Sequence, residues 1–370
     1  MGLKPQSLPD FPWDSLAAYR ATASAHSEGL VDLSVGTPVD PTPAVVQDAL
    51  RAAADSPGYP TTHGTQALRE AVVAWFARRR GVAGLDPSAV LPTVGSKEFV
   101  ALAPALLGFG EGDVIVHPTV AYPTYDVGAR LAGARPLPSD LPAEWVDVRG
   151  VKAVWVNSPS NPTGAVASVE HMAAVVDAAR SMGAVVFSDE CYAELTWEQS
   201  EPAPSILDPR VCGGSVDGVV AVYSLSKQSN LAGYRAAFAA GDPTVISRLL
   251  EVRKHAGFIV PGPVQAAMTA ALADDDHVAA QRERYAARRA TLASGLIEAG
   301  FRIDHSQAGL YLWATRGEDC WDTIAWLASL GIVAAPGAFY GEAGRRHVRI
   351  ALTASDERVT AAALRLTNAR

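Results

Sequence analysis

Three short apolar runs constrain this chain more than anything else in it. Lys152–Val156, Ala184–Phe187 and Val219–Tyr223 are β-branched and aromatic enough to read as buried strands. Helical patterns such as Ser168–Ser181 separate them. Strands that alternate with helices predict an α/β fold around a largely parallel sheet. Beyond their carboxyl ends lie Asn161 in the loop NSPSNPTG, Asp189, and Lys227 in SLSK. Open α/β sheets bind ligands outside those ends, so an amide, a carboxylate and an amine converge on one place.

Lys227 is the residue to weigh hardest. A lysine at the end of a buried strand loses its proton through desolvation and becomes a nucleophile towards an aldehyde. Ser224 and Ser226, two apart, would lie on one face at the strand end, and with Arg235 eight residues beyond Lys227 they could hold a phosphate. The chain has five lysines. Lys4 falls in a polar tail, Lys152 at the start of a strand, and Lys254 near the end of a helical pattern, while Lys97 opens a helix. A lysine in SLSK alone reads as a surface residue, and its partners elsewhere reverse that reading.

The chain has 370 residues, 49% hydrophobic and 19% charged, which suits one large and one small domain. A net charge of -8 argues against a nucleic-acid surface and requires local cations to draw in any anionic ligand. Cys191, Cys212 and Cys320 form no CxxC pair, so neither a disulfide framework nor a metal site is indicated. Without a signal-peptide core or an apolar run of 18 residues, the expected setting is the cytoplasm, away from membranes.

Taken in order, LPDFPW at Leu8–Trp13 reads as an aromatic arm lying across another surface, a second subunit being one choice. Gly36 in DLSVGTPVD marks a turn whose backbone NH could meet a ligand. Thr42 then Pro43 predicts a capped helix start, Tyr59 lies in a proline-glycine turn, and Gly64–Arg80 is a second helical pattern. Gly95, Ser96 and Lys97 open a third helix, whose N-terminal NH groups form an anion site. The glycines of GFGEGD follow a helix and precede a strand, the reverse of a dinucleotide loop. Tyr122 and Tyr125 sit at a strand-to-helix junction. After a nearly continuous helical pattern from Val264 to Ala299, short strands at Phe301, Tyr311–Trp313, Ile332–Ala335 and Val348–Ala351 predict a smaller α+β unit. The expected division is a large domain at 41–285 and a small one from 1–40 and 286–370.

These residues match the needs of pyridoxal 5'-phosphate: a Schiff-base lysine, an acid on the pyridine nitrogen, donors to the ring oxygen, a phosphate cup and a stacking ring. Lys227 is the first and Asp189 the second. Tyr192 and Asn161 would bond the ring O3'. Gly95, Ser96, Lys97, Ser224, Ser226 and Arg235 would surround the phosphate, and Tyr122 would stack. Arg349, set among apolar residues in HVRIAL, would need an anionic partner, either a structural carboxylate or a substrate α-carboxylate.

With the turn at Gly36, Tyr59 ahead of Gly64, GSK, AYPTY, NPTG, DECY, SLSK with Arg235, and Arg349 in order, the chain resembles the class I and II aminotransferases of the fold type I pyridoxal phosphate enzymes. That resemblance implies a seven-stranded, mostly parallel sheet, a small domain from both termini, and a homodimer in which Tyr59 reaches the partner's phosphate. It also implies that Gly36, Asn161 and Arg349 bind substrate, an amino or keto acid. Through LPDFPWDSL, LSVGTPVDPTP, RKHAGFIVPGPVQAA and GLYLWATRGEDCW the chain is similar to N-succinyldiaminopimelate aminotransferases. The implied reaction is a ping-pong exchange between glutamate and N-succinyl-2-amino-6-oxopimelate. That acceptor carries a distant carboxylate, for which Arg253, Lys254, His255 and Arg20 are the candidate anchors. A carbon-sulfur lyase or decarboxylase on the same scaffold is the nearest rival. A ligand sensor would carry a DNA-binding domain ahead of this unit, and no GxSxG or HExxH points to a hydrolase or metal enzyme.

Overall fold

A computed structural model describes residues 8–197 and 202–369. Lys4 therefore lies outside the described residues. The centre is a seven-stranded sheet in the order Val90–Val94, Ala236–Gly241, Val219–Ser224, Val185–Asp189, Val151–Asn157, Val114–His117, Arg135–Pro138. Only Ala236–Gly241 runs against its neighbours; every other contact that does not involve it is parallel. The sheet is the predicted one, with two strands the sequence patterns did not show. AAFAAG is alanine-rich and carries a helix former's composition, yet every residue of it is buried between two neighbours and two layers of helices. RPLP holds two prolines, tolerated because it is the edge strand.

Helices cover both faces, and their starts follow local capping chemistry. Thr65 accepts from Leu68 N at the head of Gln66–Arg80, and Ser168 from His171 N at the head of Val169–Ser181. Thr42 does not cap its helix. Pro43 takes that position, and the Thr42 hydroxyl bonds the Asn230 carbonyl at 3.3 Å. The long helical pattern after Val264 is two helices, Gly262–Ala273 and Asp276–Glu298. The break falls at DDD because Asp274 Oδ1 accepts from the backbone NH groups of Asp276 and His277, closing one helix start and excluding continuation.

The second core is built from both ends of the chain. Val31–Asp32 pairs in parallel with Ile332–Val333. A four-stranded antiparallel sheet in the order Ala335–Pro336, Val348–Ala351, Tyr311–Thr315, Arg302–Asp304 lies beside it. Helices Ala17–Ser24, Cys320–Ser329 and Asp356–Asn368 complete the layer. Leu16, Val31 and Leu33 thus share one apolar cluster with Leu312, Ile324 and Leu366. Among the described residues no helix is long and apolar enough to cross a membrane.

Candidate active site

A cavity of about 770 Å³ opens at the carboxyl ends of the parallel strands, between the two cores. All the predicted site residues line it except Gly95 and Tyr59. Asn157 and Asp189 are register partners on adjacent strands, and the next strand over carries Ser224. Asn157 then fixes the loop that follows it. Its Oδ1 accepts from Asn161 N at 2.8 Å, and its Nδ2 donates to the carbonyls of Pro159 and Asp189. Residue 161 is thereby held over the strand ends.

Lys227 sits in a single helical turn, Leu225–Gln228, that follows directly on the central strand. Ser224 and Ser226 do not share a strand face as the spacing suggested. Ser224 caps the turn, accepting from Ser226 N at 3.2 Å and donating to Ser226 Oγ at 2.9 Å. Burial pushes the Lys227 ammonium below its usual range, and the Arg349 and Arg235 charges add to that. Its Nζ donates to the Gly36 carbonyl. Gly36 therefore presents its carbonyl to the site, not the NH that the turn suggested. It is buried, and a Cβ there would overlap the Tyr311 hydroxyl.

The phosphate side is a glycine at positive φ. Gly95, at φ 77°, precedes Ser96–Leu106, whose first residues Ser96 and Lys97 line the cavity, and a helix N-terminus favours an anion. The Arg235 guanidinium lies where a Cβ of residue 95 would stand, so the glycine lets a cation close on the helix end. Among the described residues Arg235 has no carboxylate in ion-pair range; it donates only to the Ala232 carbonyl. A helix start and a guanidinium without a carboxylate are the groups a dianion calls for.

Asp189 is buried, and among the described residues no cation lies within ion-pair distance of it. Burial raises its carboxyl above the ordinary carboxylate range, opposed by hydrogen bonds from Cys191 and from Tyr125 Oη at 2.9 Å. A protonated pyridine nitrogen would supply the missing countercharge. Tyr122 lines the cavity edge-on to Tyr125, and burial lifts its phenol to about 12. Arg349 presents the same problem with opposite sign. Its Nη1 donates to Asn161 Oδ1 at 3.0 Å and its Nη2 to the Ser34 carbonyl at 2.6 Å, while Nε is buried without a partner. The guanidinium rests on the Tyr311 and Tyr340 rings, 3.9 Å and 5.0 Å from their centroids. No structural carboxylate answers it among the described residues, which removes the ion-pair reading. An orphaned carboxylate, an orphaned guanidinium, a desolvated lysine and an open anion cup fit pyridoxal phosphate with an amino acid.

Residues 28–366 match the family described as aminotransferase class I and II. The chain belongs to that family. Its members depend on pyridoxal phosphate, and this aminotransferase uses it too. It is 60% identical to a 4-dedimethylamino-4-oxo-anhydrotetracycline transaminase of Streptomyces rimosus, over 98% of this chain and 100% of that one. It is 58% identical to a probable aminotransferase of Mycobacterium tuberculosis, over 98% and 86% of the two chains. The solved structure of a probable N-succinyldiaminopimelate aminotransferase from Thermus thermophilus superposes with a TM-score of 0.87 at 30% identity, covering 97% of this chain and 100% of that one.

Sequence reasoning missed Tyr125, Asn157 and Tyr311, which support the site from beneath or beside it. The aromatic arm does lie across another surface. Residues Leu8–Trp13 wall the cavity of their own subunit, with Trp13 packed on Phe339 at 5.3 Å. Of the four distal cations, Arg253 is fully buried and grips Glu98 through two bonds of 2.6 Å and 3.0 Å, so it is structural. Lys254 pairs with Glu251, and neither it nor His255 lines the cavity. Arg20 does line it, held 2.7 Å from Asp32. Tyr59 is fully exposed in the protomer.

Proposed function

We propose that this aminotransferase exchanges an amino group between glutamate and N-succinyl-2-amino-6-oxopimelate in a ping-pong cycle, with the site residues acting as follows. When bound, pyridoxal phosphate accepts the amino group of the donor and passes it to the acceptor. Lys227 Nζ carries the cofactor and then moves the proton at the substrate Cα. Asp189 keeps the pyridine nitrogen protonated. Asn161 Nδ2 and Tyr192 Oη donate to the ring oxygen, and Tyr122 stacks on the ring. Ser96, Lys97, Ser224, Ser226 and Arg235 hold the phosphate, joined by Tyr59 of a second copy in a homodimer. Arg349 takes the α-carboxylate, and the arm and Arg20 receive the distal end. Residues 41–285 act as the cofactor domain, with 1–40 and 286–370 as the smaller one.

The observation that carries an amino-acid or keto-acid substrate is the buried Arg349 without a carboxylate, lining the same cavity as Lys227, and the family supplies the reaction type. The acceptor rests on likeness to the Thermus protein and on Arg20 at the cavity wall. A second reading has its own support. The Streptomyces rimosus relative is named for a tetracycline ketone, and a wall of Leu8, Pro9, Phe11 and Trp13 suits a flat apolar acceptor. Competition between acceptors tests both. With glutamate as donor, the succinylated keto acid is expected to exceed pyruvate and oxaloacetate by orders of magnitude in kcat/KM, and the double-reciprocal plots to be parallel. Preference for a polycyclic ketone selects the second reading. Equal use of pyruvate defeats the first while leaving the aminotransferase intact.

A further inference from the structure

Tyr311 is a buried phenol that none of the roles above uses. It stands on the Tyr311–Thr315 strand, whose register places Trp313 opposite Arg349 and Tyr311 opposite Ala351. Its hydroxyl is 3.2 Å from that of Tyr192, with the rings edge to face at 5.7 Å. The Arg349 guanidinium covers its ring, and Gly36 lacks a side chain where the hydroxyl lies. A phenylalanine would fill the ring's place against Arg349 equally well. The hydroxyl therefore calls for an explanation of its own.

We propose that Tyr311 is a positioning residue: its hydroxyl donates to Tyr192 Oη, so that the single Tyr192 proton is directed at the cofactor ring oxygen and polarised towards it. This rests on the role given to Tyr192 above. A phenol has one proton, and in the Tyr192–Tyr311 pair either oxygen can supply it. The surroundings decide which. Burial alone pushes both phenols up, but the Arg349 charge, joined by Lys227 before the cofactor is attached, brings Tyr311 below its ordinary value; the guanidinium on the Tyr311 ring stays in the holoenzyme and makes Tyr311 the stronger donor. Burial and the neighbouring Tyr311 hold Tyr192 well above its own, so Tyr192 stays protonated. Environments that push two like groups apart in this way assign a direction to the bond between them. Chained hydrogen bonds then strengthen one another.

The readout is the pH midpoint of the holoenzyme's visible absorption, which follows protonation of the nitrogen joining Lys227 to the cofactor. A donor on the ring oxygen stabilises the unprotonated form and lowers that midpoint. Y192F is expected to raise it by about one unit, the worth of a hydrogen bond to a charged oxygen. Y311F is expected to raise it by about 0.3 unit, a cooperative fraction of that bond. The double variant should match Y192F alone. An unchanged midpoint in Y311F overturns the proposal while the Y192F shift keeps Tyr192 in place. A Y311F shift that adds to that of Y192F shows direct action and also overturns it. No shift in Y192F removes the Tyr192 role itself. Y311F keeps the ring under Arg349, and a parental thermal melt of that variant shows that its midpoint reports the hydroxyl alone.

Discussion

Replacing Arg349 separates a substrate anchor from a structural ion pair, because the two make opposite demands on stability. The guanidinium has two neutral acceptors, Asn161 Oδ1 and the Ser34 carbonyl, and an Nε with none. A substrate carboxylate gripped in a dry site adds charge-assisted bonds of about 1.5–3 kcal/mol each. Two such bonds lost from the transition state correspond to about 3–6 kcal/mol, or roughly 10²–10⁴ in kcat/KM. Arg349→Gln should show that loss for glutamate. Arg349→Lys should recover only part of it, since a point charge replaces a planar fork. The same Arg349→Gln protein should melt within about 3 °C of the parent, because no buried carboxylate is left unpaired and removing an uncompensated buried charge offsets the forfeited cation–π contacts of about 2 kcal/mol each. Steady-state kinetics and a thermal melt on one preparation suffice. A large fall in Tm together with near-parental kcat/KM would refute the reasoning, since that pattern belongs to a scaffold residue.

Arg253→Ala should behave in the reverse manner: stranding Glu98 costs about 3–5 kcal/mol, a drop of roughly 4–6 °C in Tm for a chain of 370 residues, and an unchanged melt contradicts the structural role. Borohydride reduction and peptide mapping should place the cofactor adduct on Lys227, and an adduct on Lys97 or Lys254 overturns the site. Asp189→Asn should keep bound cofactor yet lose most turnover, because an amide does not hold the ring-nitrogen proton; near-normal turnover contradicts that. Sedimentation should show a dimer, and mixing a Tyr59 variant with a Lys227 variant should restore some activity; an active monomer rules the shared site out.

The sheet and the residues that gather at its carboxyl ends could be read because each rests on a local signal. A β-branched run followed by Asp189, or by SLSK, states strand and site in one stretch. Ala236–Gly241 could not be read, since its small side chains answer to crowding from both sheet faces and from neighbouring helices, which only the assembled fold supplies. Tyr311 was likewise placed on a strand but not in the site, because its hydroxyl gains meaning from Tyr192, remote in sequence. Arg253 looked like a free cation at a helix end. Its partner Glu98 is 155 positions away, and no spacing within Pro243–Ala256 could announce it.

The wall formed by Leu8–Trp13 has a consequence for how such enzymes diverge. Amino-group chemistry depends on groups fixed to the strand ends and to the edge of the second core, whereas the entrance is dressed by a short proline-rich stretch that belongs to no sheet. If the arm reads the acceptor as proposed, selectivity sits in a piece separable from the sheet. On the role proposed for the arm, exchanging Leu8–Trp13 would re-address the enzyme to a new acceptor while its catalytic apparatus passed on unaltered.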